Sequence, residues 1–218
     1  MIKTQIQSDF FLIWSLSPDR ARKLIPQNLR PFLFEDKAWL SFSVVELTEV
    51  RFFGLPVARR ALVAALLLLV QYRDRNGLER VGNYFLQGFT DDSKLAWVDR
   101  YFGFQVFKDQ PRPRLSIEED QINFDMVDLM NFQISRTEAL SPSEQTRMEE
   151  LFRENHSGVF SKKNGVFYSD LEKEHWRMPG VKVRLAGSRL LDSLSPHYEF
   201  AFDTSHGKGH WHWFQKAR

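Results

Sequence analysis

The chain has 218 residues, no cysteine and a formal net charge of +2, from 30 Lys and Arg against 28 Asp and Glu. The absence of cysteine excludes disulfides, thiolate nucleophiles and cysteine-ligated metal sites, and it suits a cytoplasmic protein in a reducing compartment. The excess of positive charge is small and dispersed, whereas a nucleic-acid interface needs clustered cations. The 20 Phe and 6 Trp favour a β-rich fold with large interior side chains.

The first part of the chain reads as strands with one short helix. The apolar run from Phe10 to Leu16 predicts a first strand, and it is too short for a signal peptide or a membrane span. Ser17-Pro18-Asp19 then predicts a helix start with Pro at the first helical position. A long strand is predicted from Lys37 to Phe53, ended by Gly54-Leu55-Pro56.

One face of this long strand is apolar, because period 2 places Ala38, Leu40, Phe42 and Val44 on the same side. Glu46 continues that face if the strand is regular. A bulge at Val44-Val45 would turn Glu46 to water, and this is the outcome that we expect.

The most informative segment is Ala61 to Val70, which reads ALVAALLLLV and contains no polar side chain. A membrane-spanning helix needs about 20 apolar residues, so this run is too short. Asp74-Arg75-Asn76-Gly77 follows, and Asn-Gly is a strong hairpin signal. We therefore predict a strand from Ala61 to Tyr72, buried on both faces and paired antiparallel with Val81 to Phe89. Such a strand offers no polar side chain to a chemical site in the interior.

The second part of the chain alternates short strands with two helices. Asp92 predicts the cap of a helix that extends to about Phe102, and Ser141-Pro142-Ser143-Glu144 has the spacing of a capping box. Hairpin turns are predicted at Asn164-Gly165 and at Gly207-Lys208-Gly209. The short strands are predicted at Phe104–Lys108, Leu115–Ile117, Gln121–Val127, Asn131–Arg136, Val159–Phe160, Val166–Leu171, Val181–Leu185, His197–Phe202 and His210–Phe214.

About ten strands and three short helices indicate a mainly β fold of the α+β type. Closely spaced turns favour a closed or partly closed antiparallel β-barrel with about three short helices packed outside. No repeat or linker divides the chain, so residues 1–218 are predicted to form a single domain.

Three polar residues are candidates for lining a ligand pocket. Glu46 would be a buried carboxylate with a raised pKa if it faces inward. Tyr84 could place its hydroxyl in a cavity, although a buried tyrosine with one local hydrogen bond is commoner. Lys108 could be an amine nucleophile only if burial or a nearby cation lowers its pKa, and a solvated lysine is commoner. No catalytic residue is assigned.

The histidines near the end of the chain are the best metal candidates. His210 and His212 would share one face of a strand, as two imidazole ligands could, and His206 lies across the predicted turn. No third ligand lies at a recognisable spacing, so we predict that they hold no metal. The sequence contains no phosphate-binding glycine loop, nucleophile elbow or zincin motif, and no cofactor is predicted.

Several short motifs follow one another along nearly the whole chain. They are Leu24-Ile25-Pro26, Ala38-Trp39, Gly54-Leu55-Pro56, Tyr72, Gly82-Asn83-Tyr84-Phe85, Arg100-Tyr101-Phe102-Gly103, Leu151-Phe152 and Lys173-Glu174-His175-Trp176. In this order the chain resembles an uncharacterised bacterial family related to acetoacetate decarboxylase. The resemblance implies a β-barrel-like core with helices outside and a cavity inside.

The resemblance also implies where polar chemistry would lie. Acetoacetate decarboxylases carry a Schiff-base lysine just after the Phe-Gly element, and that position is Val106 here. Relatives carry a Glu and an Arg on the strand before the Tyr, at the positions of Leu66 and Val70. The histidine of the His-x-x-Trp element is replaced by Lys173. We therefore do not expect decarboxylase activity.

Three function hypotheses follow. The first is a protein of this family without the Schiff-base lysine that binds a small, largely apolar molecule in the barrel cavity. The second is a lyase or related enzyme that uses relocated polar groups, namely Lys108, Glu46 and Tyr84. The third is a scaffold with a packed interior. Neither nucleic acid nor a membrane is an expected partner, and the sequence does not give the oligomeric state.

Overall fold

The computed structural model of this chain describes residues 2–101, 106–118, 121–135, 139–152, 157–162, 164–173, 180–204, 207–212 and 214–217. Within these ranges the protein is mainly β, with sixteen strands, three α-helices and one short 3₁₀ helix. The first elements are β1 (Ile2–Leu16), α1 (Pro18–Arg22), β2 (Arg30–Pro31), β3 (Leu33–Phe34), β4 (Lys37–Phe52), β5 (Leu55–Arg73), β6 (Glu79–Thr90), α2 (Ser93–Tyr101) and β7 (Phe107–Lys108). The remaining elements are β8 (Arg114–Ile117), β9 (Gln121–Met126), β10 (Met130–Ser135), α3 (Pro142–Phe152), β11 (Ser157–Lys162), β12 (Gly165–Lys173), β13 (Gly180–Gly187), the 3₁₀ helix (Arg189–Leu191), β14 (His197–Asp203), β15 (Gly207–Trp211) and β16 (Gln215–Lys216).

The predicted central hairpin is confirmed. Strands β5 and β6 pair antiparallel from Val63 opposite Thr90 to Arg73 opposite Glu79. Residues Leu66 to Val70 are at most 5% exposed, as expected for a strand covered on both faces. In the turn, an Asp74 carboxylate oxygen accepts hydrogen bonds from the main-chain N–H groups of Asn76 and Leu78.

Strand β5 begins earlier than predicted. Gly54-Leu55-Pro56 does not end the strand run, because Phe53 and Gly54 form a tight turn and Phe52 pairs directly with Leu55. Both turn residues have positive φ, as this kind of two-residue hairpin requires. Pro56 lies opposite Arg51, where the register of β4 and β5 shifts. Proline is tolerated at such an irregularity because the regular hydrogen-bond pattern of the sheet is already interrupted there.

The strands follow one another in the order β3-β4-β5-β6-β11-β12-β15-β1-β14-β13-β10-β9-β8, and β1 also pairs with β4. Among the described strands, pairing is antiparallel except where β6 runs parallel to β11 and to β7. The predicted meander is confirmed as β8-β9-β10. The predicted turn at Asn164-Gly165 is confirmed by the β11–β12 hairpin.

The predicted terminal hairpin is wrong. Strand β14 pairs with β1 over Phe10 to Ser15, and β15 pairs with β1 over Ile2 to Ile6. The chain therefore continues along one edge of β1 and does not reverse at Gly207-Lys208-Gly209. The long β1 strand offers enough edge for both segments. Thr204 joins them, since its main-chain N–H donates to the Asp9 carbonyl over 2.8 Å.

Even-numbered side chains from Phe10 to Leu16 of β1, Ala38 to Val44 of β4 and Leu62 to Tyr72 of β5 lie on one side of the sheet, which we call the core face. They belong to the largest apolar cluster and meet side chains of β9, β10, β12 and β13 there. The opposite face carries a second cluster, in which α3 packs on the sheet through three buried residues: Met148, Leu151 and Phe152. The core face is the surface on which an interior site must be built.

Two predicted helix caps are confirmed. An Asp92 carboxylate oxygen accepts the Leu95 N–H over 2.8 Å at the start of α2. At α3 the Glu144 carboxylate accepts the Ser141 N–H over 2.9 Å, which is one half of a capping box.

Among the described helices, none is both long enough and apolar enough to cross a membrane.

Candidate functional site

Glu46 is buried, contrary to our expectation that a bulge would turn it to water. The pairing of β4 with β5 is regular from Leu40 to Thr48, so Glu46 stays on the core face opposite Leu62. Its side chain is 7% exposed and forms an ion pair with Arg60, whose side chain is 68% exposed. The charge of the Glu46 carboxylate is therefore balanced by Arg60, at the end of the core face that is nearer to solvent.

Tyr84 lies on the core face of β6, opposite Leu68 of β5 and beside Val159 of β11. Its hydroxyl is 2.9 Å from the Ser161 hydroxyl, and either oxygen can be the donor. This hydroxyl has one local hydrogen-bond partner, which is the commoner arrangement of a buried tyrosine.

Lys108 ends the short strand β7, beside Phe89, and its side chain is exposed. Glu46 lies opposite Leu62, and Tyr84 lies opposite Leu68. At the usual rise of a strand, Leu62 and Leu68 are about 20 Å apart along β5. The three pocket candidates therefore do not converge on one site, and their binding roles stay predictions.

A cluster of tyrosines lies at the other end of the core face. The rings of Tyr72 on β5 and Tyr168 on β12 are 5.0 Å apart between centroids. Gly82 makes room for this contact, since a Cβ on it would lie 3.1 Å from Tyr72 Cε1 and 2.8 Å from Val159 Cγ2. We call Tyr72, Tyr84 and Tyr168 the tyrosine cluster.

The polar groups around the cluster are paired, with one exception. The Tyr168 hydroxyl donates to Gln215 Oε1 over 2.8 Å, and the Ser157 hydroxyl donates to Asp170 Oδ1 over 2.6 Å. The Tyr72 hydroxyl makes no hydrogen bond of ordinary distance and angle with any described residue. Tyr72 is only 3% exposed, so water does not replace the missing partner at the surface.

The electrostatic setting keeps Tyr72 protonated. Burial raises the pKa of Tyr72 to about 12, and the nearby Ser157 hydroxyl offsets part of that rise. The Asp170 carboxylate adds to the pKa and the Arg80 guanidinium reduces it. Tyr72 is thus a neutral hydrogen-bond donor at any physiological pH.

Only part of this cluster is predictable from the sequence. The place of Tyr84 on the hairpin strand makes it a candidate. Tyr72 continues the even-numbered face of Leu66, Leu68 and Val70, so parity alone could have placed it on the core face. Tyr168 and Ser157 could not be found in this way, because their approach depends on the parallel pairing of β6 with β11.

The positions at which the sequence resemblance implies polar groups are apolar and buried in this structure. Leu66 is 5% exposed and Val70 is 0% exposed, both on the core face. Val106 is buried just before β7, but it packs with Phe160 in a separate cluster on the opposite face of the sheet. Val106, the position at which the resemblance implies a Schiff-base lysine, therefore does not lie on the core face. Gly88 explains this placement, since it leaves space on that face that Phe107 and Val106 fill.

No lysine whose side chain the structure describes is buried. Lys173 lies in β12, but its side chain, and the whole of His175, fall outside the described residues. The same holds for His206 and for the side chain of His210. The described main-chain N–H of His212 donates to the Asp170 carbonyl over 3.0 Å. The prediction that these histidines hold no metal stays a prediction.

Aromatic side chains occupy the middle of the core face. The Phe42 ring lies edge-on to Phe124 and Phe132, with centroid distances of 5.6 Å and 6.4 Å. Phe124 and Phe132 are stacked at 4.8 Å. Strands β9 and β10 thus cover the central strands with rings, and the surroundings of any molecule held there are apolar.

The fold is that of acetoacetate decarboxylase. An acetoacetate decarboxylase from Legionella pneumophila superposes with a TM-score of 0.67 at 13% identity, covering 100% of this chain and 87% of that chain. An acetoacetate decarboxylase-like enzyme from Sphingomonas wittichii gives 0.60 at 9% identity, covering 99% and 91%. The enduracididine biosynthesis enzyme MppR, solved with HEPES buffer bound, gives 0.61 at 11% identity, covering 99% and 87%.

Within this class of fold, the chain belongs to the DUF2071 family of uncharacterized conserved proteins, whose model matches residues 4–205. No curated protein matches the chain in sequence. The resemblance noted from the sequence motifs is therefore confirmed, and it leaves the activity open.

Proposed function

We propose that this protein binds a small, largely apolar molecule against the core face and does not act as a Schiff-base decarboxylase. The observation that carries the proposal is the apolar character of β5, where Leu66 and Val70 are buried at the positions at which the sequence resemblance implies Glu and Arg. Neither side chain can hold a carboxylate substrate or activate an amine. Both can contact hydrocarbon.

The strand pairing supports an enclosed site. Strand β1 pairs with β4 along one edge and with β15 along the other. The neighbours β15-β12, β12-β11, β11-β6, β6-β5 and β5-β4 continue from there. We infer that these strands form a barrel wall around the core face, and that a bound molecule is sheltered from water inside it.

The alternative hypotheses make different demands on this interior. A relocated enzyme needs Glu46, Tyr84 and Lys108 to converge, and their places along the strands argue against that. A scaffold needs an interior without room for a ligand. The contacts of Phe42 with Phe124 and Phe132 fill part of the interior, so the distinction between a binder and a scaffold depends on the remaining space.

Xenon is a direct probe for such space, because it enters apolar cavities and ignores polar surfaces. We expect pressurised xenon to shift the NMR signals of core-face methyl groups, those of Leu66, Leu68 and Val70 foremost. Absence of shifts at these methyl groups would contradict the proposal and support the scaffold.

A matched pair of variants on β5 locates the space. Ala64 and Ala61 are both fully buried, but Ala64 belongs to the core-face cluster and Ala61 to a small cluster with Val50 and Ala58. We expect Ala64→Leu to weaken the xenon-induced shifts and Ala61→Leu to leave them unchanged. Equal effects of the two variants would place the xenon elsewhere.

A further inference from the structure

The tyrosine cluster contains one buried donor, the Tyr72 hydroxyl, that makes no hydrogen bond of ordinary distance and angle with the described residues, although the Ser157 hydroxyl lies near it. Tyr72 belongs to the core-face cluster and is 3% exposed. A buried hydroxyl without a hydrogen bond of good geometry is destabilising, so proteins seldom retain one that serves no purpose. The neighbouring hydroxyls of Tyr84 and Tyr168 both have partners, which makes the difference specific to Tyr72.

The packing around Tyr72 fixes the direction of this donor. Tyr168 covers the ring from one side, with centroids 5.0 Å apart. The ring also lies against Gly82, where a Cβ would come within 3.1 Å of Tyr72 Cε1. Contacts with β6 and β12 therefore hold the ring in place.

We propose that Tyr72 is the polar end of the binding site and donates a hydrogen bond to a single acceptor oxygen on an otherwise apolar, uncharged ligand. This inference rests on the proposed function and adds the chemical class of the ligand to it. A neutral acceptor fits better than an anion, because the Asp170 carboxylate lies near Tyr72 and the nearby Asp74 carboxylate already holds Arg80 at 3.0 Å. A hydrocarbon would leave the donor unsatisfied.

Two probes of the same shape separate the hydrogen bond from the apolar contact. Cyclohexanone carries an acceptor oxygen, and methylenecyclohexane has a carbon in its place. Affinities of both are measured by NMR titration for the wild type, for Tyr72→Phe and for Tyr168→Phe. The Tyr168→Phe variant is the matched control, because it removes a hydroxyl from the same cluster that already has a partner.

We expect Tyr72→Phe to weaken cyclohexanone binding by about threefold to tenfold, the range of one net hydrogen bond, and to leave methylenecyclohexane binding unchanged. In Tyr168→Phe the ratio of the two affinities stays that of the wild type. An unchanged ratio in Tyr72→Phe would overturn this inference alone. Failure of both probes to bind the wild type would overturn the proposed function as well.

A second measurement does not depend on any variant. The ¹³Cζ chemical shift of a tyrosine responds to hydrogen bonding of its hydroxyl. We expect cyclohexanone to shift the Tyr72 signal more than methylenecyclohexane does, and to affect Tyr84 and Tyr168 less. Equal shifts of the Tyr72 signal with both probes would contradict a hydrogen bond from this hydroxyl.

Discussion

At the scale of single residues, Gly82 is a position where one added methyl group would meet backbone of the neighbouring strand. A Cβ there would lie 2.8 Å from Val159 Cγ2 and 3.0 Å from the Ser157 carbonyl oxygen, closer than such atoms normally approach. The second of these neighbours is backbone and cannot move independently of β11. Gly82 is therefore required by close packing between neighbouring strands.

We expect Gly82→Ala to lower the free energy of unfolding by about 1–3 kcal/mol, as overpacking in a buried site does. Gly187→Ala is the matched control, because a Cβ on Gly187 meets no atom within 4 Å and the residue also lies in a strand. Urea unfolding of both variants is the measurement. Equal stability of the two variants would show that the strands adjust without cost.

The residues of the candidate site were only partly predictable from the sequence. Strand parity placed Glu46 correctly on the apolar face, but we expected a bulge that the structure does not contain. Strand β4 stays regular at Val44-Val45 because each residue from Leu40 to Thr48 pairs with a residue of β5. The missing partner of Tyr72 was beyond prediction, since it depends on the positions of atoms in β11 and β12.

At the scale of elements, one buried carboxylate joins α3 to the sheet. Glu199 on β14 accepts hydrogen bonds from Ser15 Oγ at 2.6 Å, Lys37 Nζ at 3.1 Å and Arg147 Nη1 at 2.9 Å. These donors come from β1, the start of β4 and α3. Burial acts to raise the pKa of Glu199, but the three donors outweigh it and the pKa is lowered.

We expect Glu199→Gln to lower the free energy of unfolding by about 2 kcal/mol near neutral pH, the worth of hydrogen bonds to a charged group. Because the folded-state pKa is the lower one, this stabilisation is present above the ordinary glutamate value of 4.5 and is lost as the pH falls through the folded-state pKa. Unfolding curves at several pH values should show the difference between wild type and variant shrinking in acid.

Glu35→Gln is the control for this effect, because Glu35 binds the same Arg147 but its side chain is 48% exposed. An exposed pair contributes about 0–1 kcal/mol. If the difference in free energy of unfolding between wild type and Glu199→Gln stays the same in acid, the charge of Glu199 is not the source of the stabilisation.

The elements and the hairpins between consecutive strands were largely predictable, and the pairing of strands distant in sequence was not. Turn and cap residues such as Asn76-Gly77 and Ser141 mark boundaries locally, so the sequence predicts the central hairpin and α3. The pairing of β14 and β15 with β1 joins segments that are far apart in the sequence. The local sequence Gly207-Lys208-Gly209 looks like a turn, but pairing with β1 on one side and β12 on the other makes it a strand.

At the scale of the whole molecule, the reaction of the related decarboxylases can be tested directly. A Schiff base needs a neutral amine, and the lysines with described side chains are exposed or half-buried. Among them, burial lowers the pKa of Lys162, while the Asp99 carboxylate acts in the opposite direction. Lys162 and the sequence candidate Lys108 are therefore the positions to examine.

We expect borohydride reduction in the presence of acetoacetate to give no stoichiometric covalent adduct, with an active acetoacetate decarboxylase as the positive control. Peptide mapping by mass spectrometry is the measurement. A stoichiometric adduct that Lys162→Arg or Lys108→Arg abolishes would contradict the absence of Schiff-base chemistry and favour an enzyme.

The use of β1 as a shared edge has a consequence for how the protein is made. Strand β1 precedes the other described strands along the chain, and β4 pairs with one of its edges. The other edge pairs with β14 and β15, which are synthesised much later than β1 and β4. Until they are synthesised, the nascent chain presents an open strand edge, the feature that recruits wrong partners. Premature termination before residue 197 removes both covering strands, so truncated products should aggregate and be degraded.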